Sequence, residues 1–256
     1  MAAARLVALD WGTSSVRAFL FGDGGTMLAQ RQRPWGIQHL PEGGFAAALN
    51  GIAGDWLKPA PAVPLLACGM VGSAQGWHQA PYVPCPADPA ALAAAIVACD
   101  IGDDRLLHIV PGVSDPRPDV MRGEETQLLG ALRMAPQLAA RATLLMPGSH
   151  SKWVEVRDGR IDTFTTYLSG ELFAVLRDHS ILGRPQQQAA SREPAASGAG
   201  DDSPEAWRAF DLGVSAVRRQ GSATALLFST RALVLSGDMK AEHSLQYLSG
   251  LLIGDE

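Results

Sequence analysis

Residues 8–21, ALDWGTSSVRAFLF, decide how this chain is read. An apolar run ends on a lone carboxylate, Asp10, turns through Gly12 and the hydroxyls of Thr13, Ser14 and Ser15, and becomes a second apolar run. Near-continuous apolar segments are the pattern of strands covered on both faces, so RLVALD and SVRAFLFG predict a strand, a tight turn and a second strand. TMLAQRQR then predicts a third strand of the same meander. A carboxylate at the tip of a buried strand needs a reason. A glycine turn exposes backbone N–H groups which, with neighbouring hydroxyls, can cradle phosphate oxygens. Asp10 would repel a bare phosphate, and a hydrated Mg²⁺ standing between the two resolves the conflict. The competing reading is that Asp10 and Thr13 only cap a β-turn; four residues do not choose between them.

The 256 residues are 47% hydrophobic, enough for one large domain or two of ordinary size. With 26 acidic against 21 basic residues the net charge is -5, so there is no general field to attract a nucleic acid. Cys68, Cys85 and Cys99 are odd in number and widely spaced, which supports neither a disulfide framework nor a zinc site; reduced thiols in a cytoplasmic protein are expected. The N-terminal run is too short and too polar at its end for a signal-peptide core, and no span has the roughly 20 apolar residues of a membrane helix.

Farther along, Phe45, Leu49, Ile52 and Trp56 fall at helical spacing, VPLLACGMVGS reads as a strand entering a glycine-rich loop, and Asp88 with Pro89 opens a helix expected to run through DPAALAAAIVACD. RLLHIVPG closes this α/β unit as another strand. After a helix in VMRGEETQLLGALRMAP the order restarts: TLLMPGSHSKWVEV gives strand, turn and strand, the Asp158-Gly159 pair marks a hairpin, and RIDTFTTYLS follows as a strand. GELFAVLRDHSIL, EAWRAFDLGVSAVRRQ and SLQYLSGLLIGDE read as helices. The intervening GRPQQQAASREPAASGAGDDSP has the composition of a surface loop. A strand-turn-strand unit therefore occurs near 5–21 and again near 143–156, as expected of two similar α/β domains facing one another.

The second turn joins Gly148, Ser149, His150, Ser151 and Lys152, a glycine and hydroxyls with groups able to meet phosphate charge. An exposed hairpin with a solvated Lys152 is the alternative. Glu124 and Glu125 open a helix, where carboxylates favour the dipole; adjacent positions point about 100° apart, so one at most faces a given site as the base for an acceptor hydroxyl. Arg122 can pair with a substrate carboxylate or with a surface acid. The loop at Gly69 and Met70 lacks the lysine of a Walker A motif and the order of a dinucleotide fingerprint; a lining for a small polar substrate and a plain turn are both open.

Taken in order, LDWGTSSVRAFL, CGMVGSAQGW, VMRGEETQLLGA, MPGSHSKWV, LSGELFAVLRDHSILG and LSGLLIGDE resemble the 2-dehydro-3-deoxygalactonokinase family, within the sugar kinase, actin and hexokinase superfold. The resemblance implies an α/β protein of two ribonuclease H-like domains around a cleft, 1–118 and 119–256, the second truncated before the family's C-terminal adenosine-binding segment. It implies transfer of the ATP γ-phosphate, with Mg²⁺, to the 6-hydroxyl of a 2-keto-3-deoxy sugar acid in galactonate catabolism. The first phosphate motif falls on Asp10, Gly12 and Thr13, with Ser14 beside them, and the second on Gly148 to Lys152. The base falls on Glu124, with Glu125 the alternative; Asp10 serves the metal; Arg17 and Arg122, from charge complementarity, meet the sugar-acid carboxylate. Sugar acid and ATP are the expected partners, without nucleic acid or membrane, and a homodimer is compatible with the sequence. A non-catalytic sugar-acid or nucleotide sensor on the same fold is the alternative.

Overall fold

The computed structural model describes residues 3–58, 63–102, 104–186 and 202–256. The chain packs as two units, Met1–Met146 with Trp153–Thr165, and Pro147–Lys152 with Thr166–Glu256.

The first unit is built on the predicted meander, β1 (Leu6–Trp11), β2 (Val16–Phe21) and β3 (Met27–Arg33). β4 (Leu65–Gly69) lies parallel to β1, β7 (Leu106–Ile109) parallel to β4, and β6 (Val97–Asp100) antiparallel at the edge, giving the order β3-β2-β1-β4-β7-β6. β1 alternates in burial. Val7, Leu9 and Trp11 are essentially inaccessible and share a core with Ala48, Ile52, Ala53 and Trp56 of α1 (Gly44–Leu57). Asp10 and Ala8 face the other way and are only half-buried, because successive side chains of a strand point to opposite faces. The strand expected to be covered on both faces is thus fully covered on one. The carboxylate at its tip sits on the open side and costs little desolvation.

The helix opened by Asp88 is shorter than its apolar pattern predicts. Asp88 accepts from the Ala91 N–H at 2.8 Å and Pro89 takes the first position, but α2 stops at Ala94 (Pro89–Ala94). Residues 97–100 pair with β7 instead, Val97 opposite Ile109 and Cys99 opposite Leu107, so pairing of a sheet edge overrides the local helical pattern. Two small sheets complete the unit, β5 (Tyr82–Pro84) with β8 (Gly112–Asp115) and β9 (Asp119–Met121), and β10 (Arg141–Met146) with β11 (Ser151–Arg157) and β12 (Arg160–Tyr167). A backbone bridge between Ala87 and Ile161 ties one to the other. α3 (Glu124–Met134) places Leu128 in the same core as Val113, Met121, Val154 and Phe164. The Asp158-Gly159 hairpin forms as expected, both residues at positive φ (49° and 73°).

In the second unit the described elements after β12 are helical: α4 (Ser169–His179), α5 (Pro204–Gln220), the short α6 (Ala223–Leu226), α7 (Ser229–Ser236) and α8 (Ser244–Asp255). α5 and α8 pack backbone to backbone. A Cβ on Gly250 would lie 2.1 Å from the Phe210 carbonyl, and one on Gly213 2.3 Å from that of Tyr247. Leu245, Leu248, Leu251 and Leu252 of α8 are buried. Most of the predicted surface loop, 187–201, lies outside the described residues. No described helix is long and apolar enough to cross a membrane, and the three cysteines are free thiols.

Candidate active site

The first turn is closed by Gly12, whose N–H donates to the Ser15 carbonyl at 2.9 Å. The Gly12 and Thr13 carbonyls accept from Ile37 and Gln38 at 3.1 and 3.2 Å, so the 36–38 segment holds the outside of the turn. Gly36 permits this approach, since a Cβ there would overlap Thr13. The carbonyls are thereby occupied, while Ser14 stays exposed.

Asp10 ends β1 directly opposite Arg17 on β2, and the Arg17 guanidinium donates to its Oδ2. On its other flank Asp10 pairs with Cys68, and Trp11 with Gly69, at the carboxyl end of β4. A Cβ on Gly69 would meet the Trp11 carbonyl at 2.8 Å and the Asp10 Oδ1 at 3.6 Å, and its φ of 91° also demands glycine. Behind Gly69 lies Gly123, at φ 109°, whose Cβ would sit 3.3 Å from the Gly69 Cα. Two glycines in contact therefore bring the start of α3 against the ends of β1 and β4, and Glu124 and Glu125 arrive with it. Met70 follows Gly69 into a single 3-10 turn, Met70–Gly72.

The two glutamates divide in environment. Glu124 is half-buried and its Oε2 accepts from the Arg122 N–H at 3.1 Å. Glu125 is fully buried, its Oε2 accepting from the Gly123 N–H at 2.6 Å and its Oε1 from the Thr126 hydroxyl at 3.1 Å. Both carboxylates thus serve the N-terminus of α3, the plain structural role weighed from sequence. Burial pushes the Glu125 pKa up to about 7; Glu124 adds to the rise, against the backbone N–H groups and Thr126, which favour the charged form. Cys68, beside Asp10 and Glu125, is pushed up to about 12, chiefly by burial and then by those two carboxylates. Its thiol stays neutral and is no nucleophile near neutral pH.

Because folded Glu125 holds its proton more tightly than the unfolded chain does, stability falls as pH rises from 4.5 to about 7 and levels off above. The decline expected from that shift is roughly 3 kcal/mol. Glu125→Gln should flatten it, which denaturant midpoints at pH 5 and pH 8 will show; an unchanged pH dependence would place the titration elsewhere.

Arg122 is directed at the 80–82 segment. Its Nη2 donates to the Ala80 carbonyl at 2.9 Å, and the guanidinium lies 4.3 Å from the centre of the Tyr82 ring. Gly72 leaves space for Nη1, which like Nε is buried without a hydrogen-bond partner. Trp77 stacks on Phe45 and packs on Trp11 instead of standing free for a ligand. Asp10 and Arg17 open onto a groove of about 530 Å³ that Phe19, Cys68, Thr126 and Gln127 also line.

In the second unit, Gly148, Ser149 and His150 are exposed while Ser151 and Lys152 are buried at the start of β11. Lys152 is therefore not the solvated side chain of the alternative reading; its Nζ donates to the Thr166 hydroxyl at 2.9 Å. Ser151 meets Ser169 at 3.2 Å, and His150 Nε2 meets Glu171 at 2.5 Å. Thr166, Ser169 and Glu171 are not among the residues picked from sequence. The signal for them is the two-residue turn at 158–159, which folds the chain beyond 165 back beside 149–152.

A second omission from the sequence reading is Asp115. Its buried carboxylate accepts from the Arg117 backbone N–H at 3.0 Å, Arg117 Nε at 2.8 Å, the Thr163 hydroxyl at 2.5 Å and the Phe164 N–H at 3.1 Å. Arg117, followed by Thr163 and the backbone donors, holds its pKa far below the usual carboxylate range. This cage of donors, joining β8 to β12, is structural.

Comparison with known proteins bears on the chemistry. A family model described as 2-keto-3-deoxy-galactonokinase matches residues 10–256. A Rhizobium meliloti protein assigned as a 2-dehydro-3-deoxygalactonokinase is 41% identical over 97% of this chain and 78% of its own length. The 2-dehydro-3-deoxygalactonokinase of Escherichia coli is 35% identical over 99% of this chain and 79% of its own. A crystal structure of a Sinorhizobium meliloti protein assigned to the same activity superposes with a TM-score of 0.84 at 38% identity, over 98% of this chain and 79% of that one. The resemblance read from the motifs and the mixed α/β fold are both borne out, and the chain belongs to the 2-keto-3-deoxy-galactonokinase family of kinases.

Proposed function

We propose that the protein transfers the γ-phosphoryl group of ATP to the 6-hydroxyl of 2-dehydro-3-deoxy-D-galactonate, a step of galactonate catabolism carried out in the cytoplasm. The observation that carries this reading is the assembly of Asp10, Arg17, Gly69 and the Glu124–Glu125 pair at the carboxyl ends of β1 and β4. That end of a parallel strand pair is where ligands of open α/β sheets bind. Kinase relatives favour phosphoryl transfer over the sensor alternative.

In this reading the Gly12, Thr13 and Ser14 turn and the Gly148 to Lys152 turn each donate to the nucleotide phosphates. The donor set fits Mg²⁺ held mainly by phosphates and water. Asp10 offers a hard carboxylate, Gly69 leaves the approach to its Oδ1 free of a side chain, and no cluster of three metal-ligating side chains occurs among the described residues. When bound, the cation supplies neutralisation of phosphate charge. Glu124 accepts the proton of the 6-hydroxyl as its oxygen bonds to the γ-phosphorus and the bond to the ADP oxygen breaks. Arg17 and Arg122 receive the sugar-acid carboxylate, and Gly69 with Met70 lines the sugar. The strand order of the first unit supports a ribonuclease H-like half of the sugar kinase superfold. We place the functional boundary at 118/119, between the halves that carry the two turns, which differs from the division by packing.

The test is ADP formation that requires both the sugar acid and Mg²⁺; ADP release indifferent to the sugar acid would remove the acceptor assignment. Glu124→Gln is expected to lower kcat by about 10²–10⁴-fold, more than Glu125→Gln does. A larger loss in Glu125→Gln, with the disappearance of an acid limb near pH 7 from the kcat profile, would make Glu125 the base.

A further inference from the structure

Three polar side chains of the second turn are matched to partners from 166–171. Lys152 is held by Thr166, Ser151 by Ser169 and His150 by Glu171, at 2.9, 3.2 and 2.5 Å. The backbone continues the pattern, the Glu171 N–H donating to the Ser149 carbonyl at 3.0 Å. Gly170 makes the approach feasible, since its Cβ would fall 2.6 Å from the Gly148 carbonyl oxygen and 2.8 Å from the Ser149 Cα. The turn is thus seated on the end of β12 and the first residues of α4, although it is exposed at Gly148 to His150.

Glu171 stands apart within this layer. An acid in the first turn of a helix normally serves the helix dipole or the free N–H groups. Here its carboxylate is directed out of its own helix onto His150 Nε2, while its own N–H already has an acceptor in Ser149. An imidazole bonded at one nitrogen has its ring plane fixed and presents the other nitrogen in a single direction.

We propose that Glu171 is a positioning residue for the nucleotide phosphates: by accepting the Nε2 proton of His150 it fixes the ring and commits Nδ1 to the ligand. The proposal rests on the kinase reading, in which the turn at 148–152 meets ATP. Because the pair belongs to the phosphate turn, its loss weakens nucleotide binding without changing the sugar-acid site.

The decisive experiment measures KM for ATP, KM for the sugar acid and kcat for His150→Ala, Glu171→Ala, Glu171→Gln and the double alanine variant, with nucleotide Kd by calorimetry. Glu171→Ala should raise KM and Kd for ATP about tenfold, leaving KM for the sugar acid within about twofold, as for other groups that orient a ligand-bearing histidine. Glu171→Gln keeps an acceptor for Nε2–H and should recover most of the affinity. The double variant should bind ATP no worse than His150→Ala alone, since the two act through one contact. The ¹⁵N spectrum of His150 should show its proton on Nε2 in the wild type and a tautomer mixture in Glu171→Ala. Unchanged ATP affinity in Glu171→Ala beside a weakened His150→Ala would overturn the positioning role alone. Unchanged affinity in His150→Ala as well would instead refute the turn as a phosphate site.

Discussion

Asp10→Asn should lower kcat by about 10²–10³-fold while the folded protein persists. The asymmetry follows from where the carboxylate lies. In the fold its partner is Arg17, in a pair open enough to water that losing it costs less than about 1 kcal/mol. Asparagine keeps the size and shape of the side chain on the half-buried face of β1, so the sheet and its core against α1 are not disturbed. In the proposed reaction the lost charge is the one that faces the metal-bound phosphates, and an amide does not replace it. A higher Mg²⁺ requirement should accompany the fall in rate. The measurement is coupled phosphorylation of the sugar acid beside a circular dichroism melt; near wild-type turnover across a Mg²⁺ titration would remove Asp10 from the mechanism.

Asp115→Ala is expected to act in the opposite way, on stability and not on chemistry. Truncation removes the common acceptor of the Thr163 hydroxyl, of two backbone N–H groups and of Arg117, whose side chain is more than half exposed. Orphaning those hydroxyl and N–H donors, with no buried cation left behind, costs about 1–3 kcal/mol, which for a chain of this size lowers Tm by on the order of 5 °C. Acid should produce a related loss in the wild type. The folded pKa of Asp115 is depressed, so the unfolded chain binds the proton more readily. The stabilisation is whole above the ordinary carboxylate range near pH 4 and is lost as pH falls through that range toward the folded value. Glu125 acts in a separate window, between pH 4.5 and about 7, and with the opposite sign. Thermal melts of the wild type and Asp115→Ala from pH 3 to pH 6 will separate them; equal melting temperatures at pH 6 would show that the cage contributes nothing.

Much of this was legible in the linear chain because it depends on local chemistry. The three-stranded meander follows from apolar runs separated by a glycine turn, the Asp158-Gly159 hairpin from a turn that needs two positive φ angles, and the opening of α2 from Asp88 and Pro89. The end of α2 was not, because residues 97–100 obtain pairing from β7, whose proximity the local sequence does not encode. Nor does the local sequence show the packing of Trp77, whose partners Trp11 and Phe45 lie far away along the chain.

The same division runs through the candidate site. Sequence alone determined which chemical groups are present: a strand ending in Asp10, two glycine and hydroxyl turns, adjacent glutamates at a helix start, and motifs that carry the family. Local conformational preference and residue identity suffice for those. The tertiary structure alone decided that Gly69 and Gly123 touch and so bring the glutamates to the end of β1, and that Glu125 is sealed while Glu124 is not. It also decided that Asp115 is a structural cage and that Glu171 reaches His150. Those outcomes depend on burial and on contacts between segments up to about 115 residues apart, such as Asp10 and Glu125 around Cys68, where desolvation and neighbouring charge set what a side chain can do.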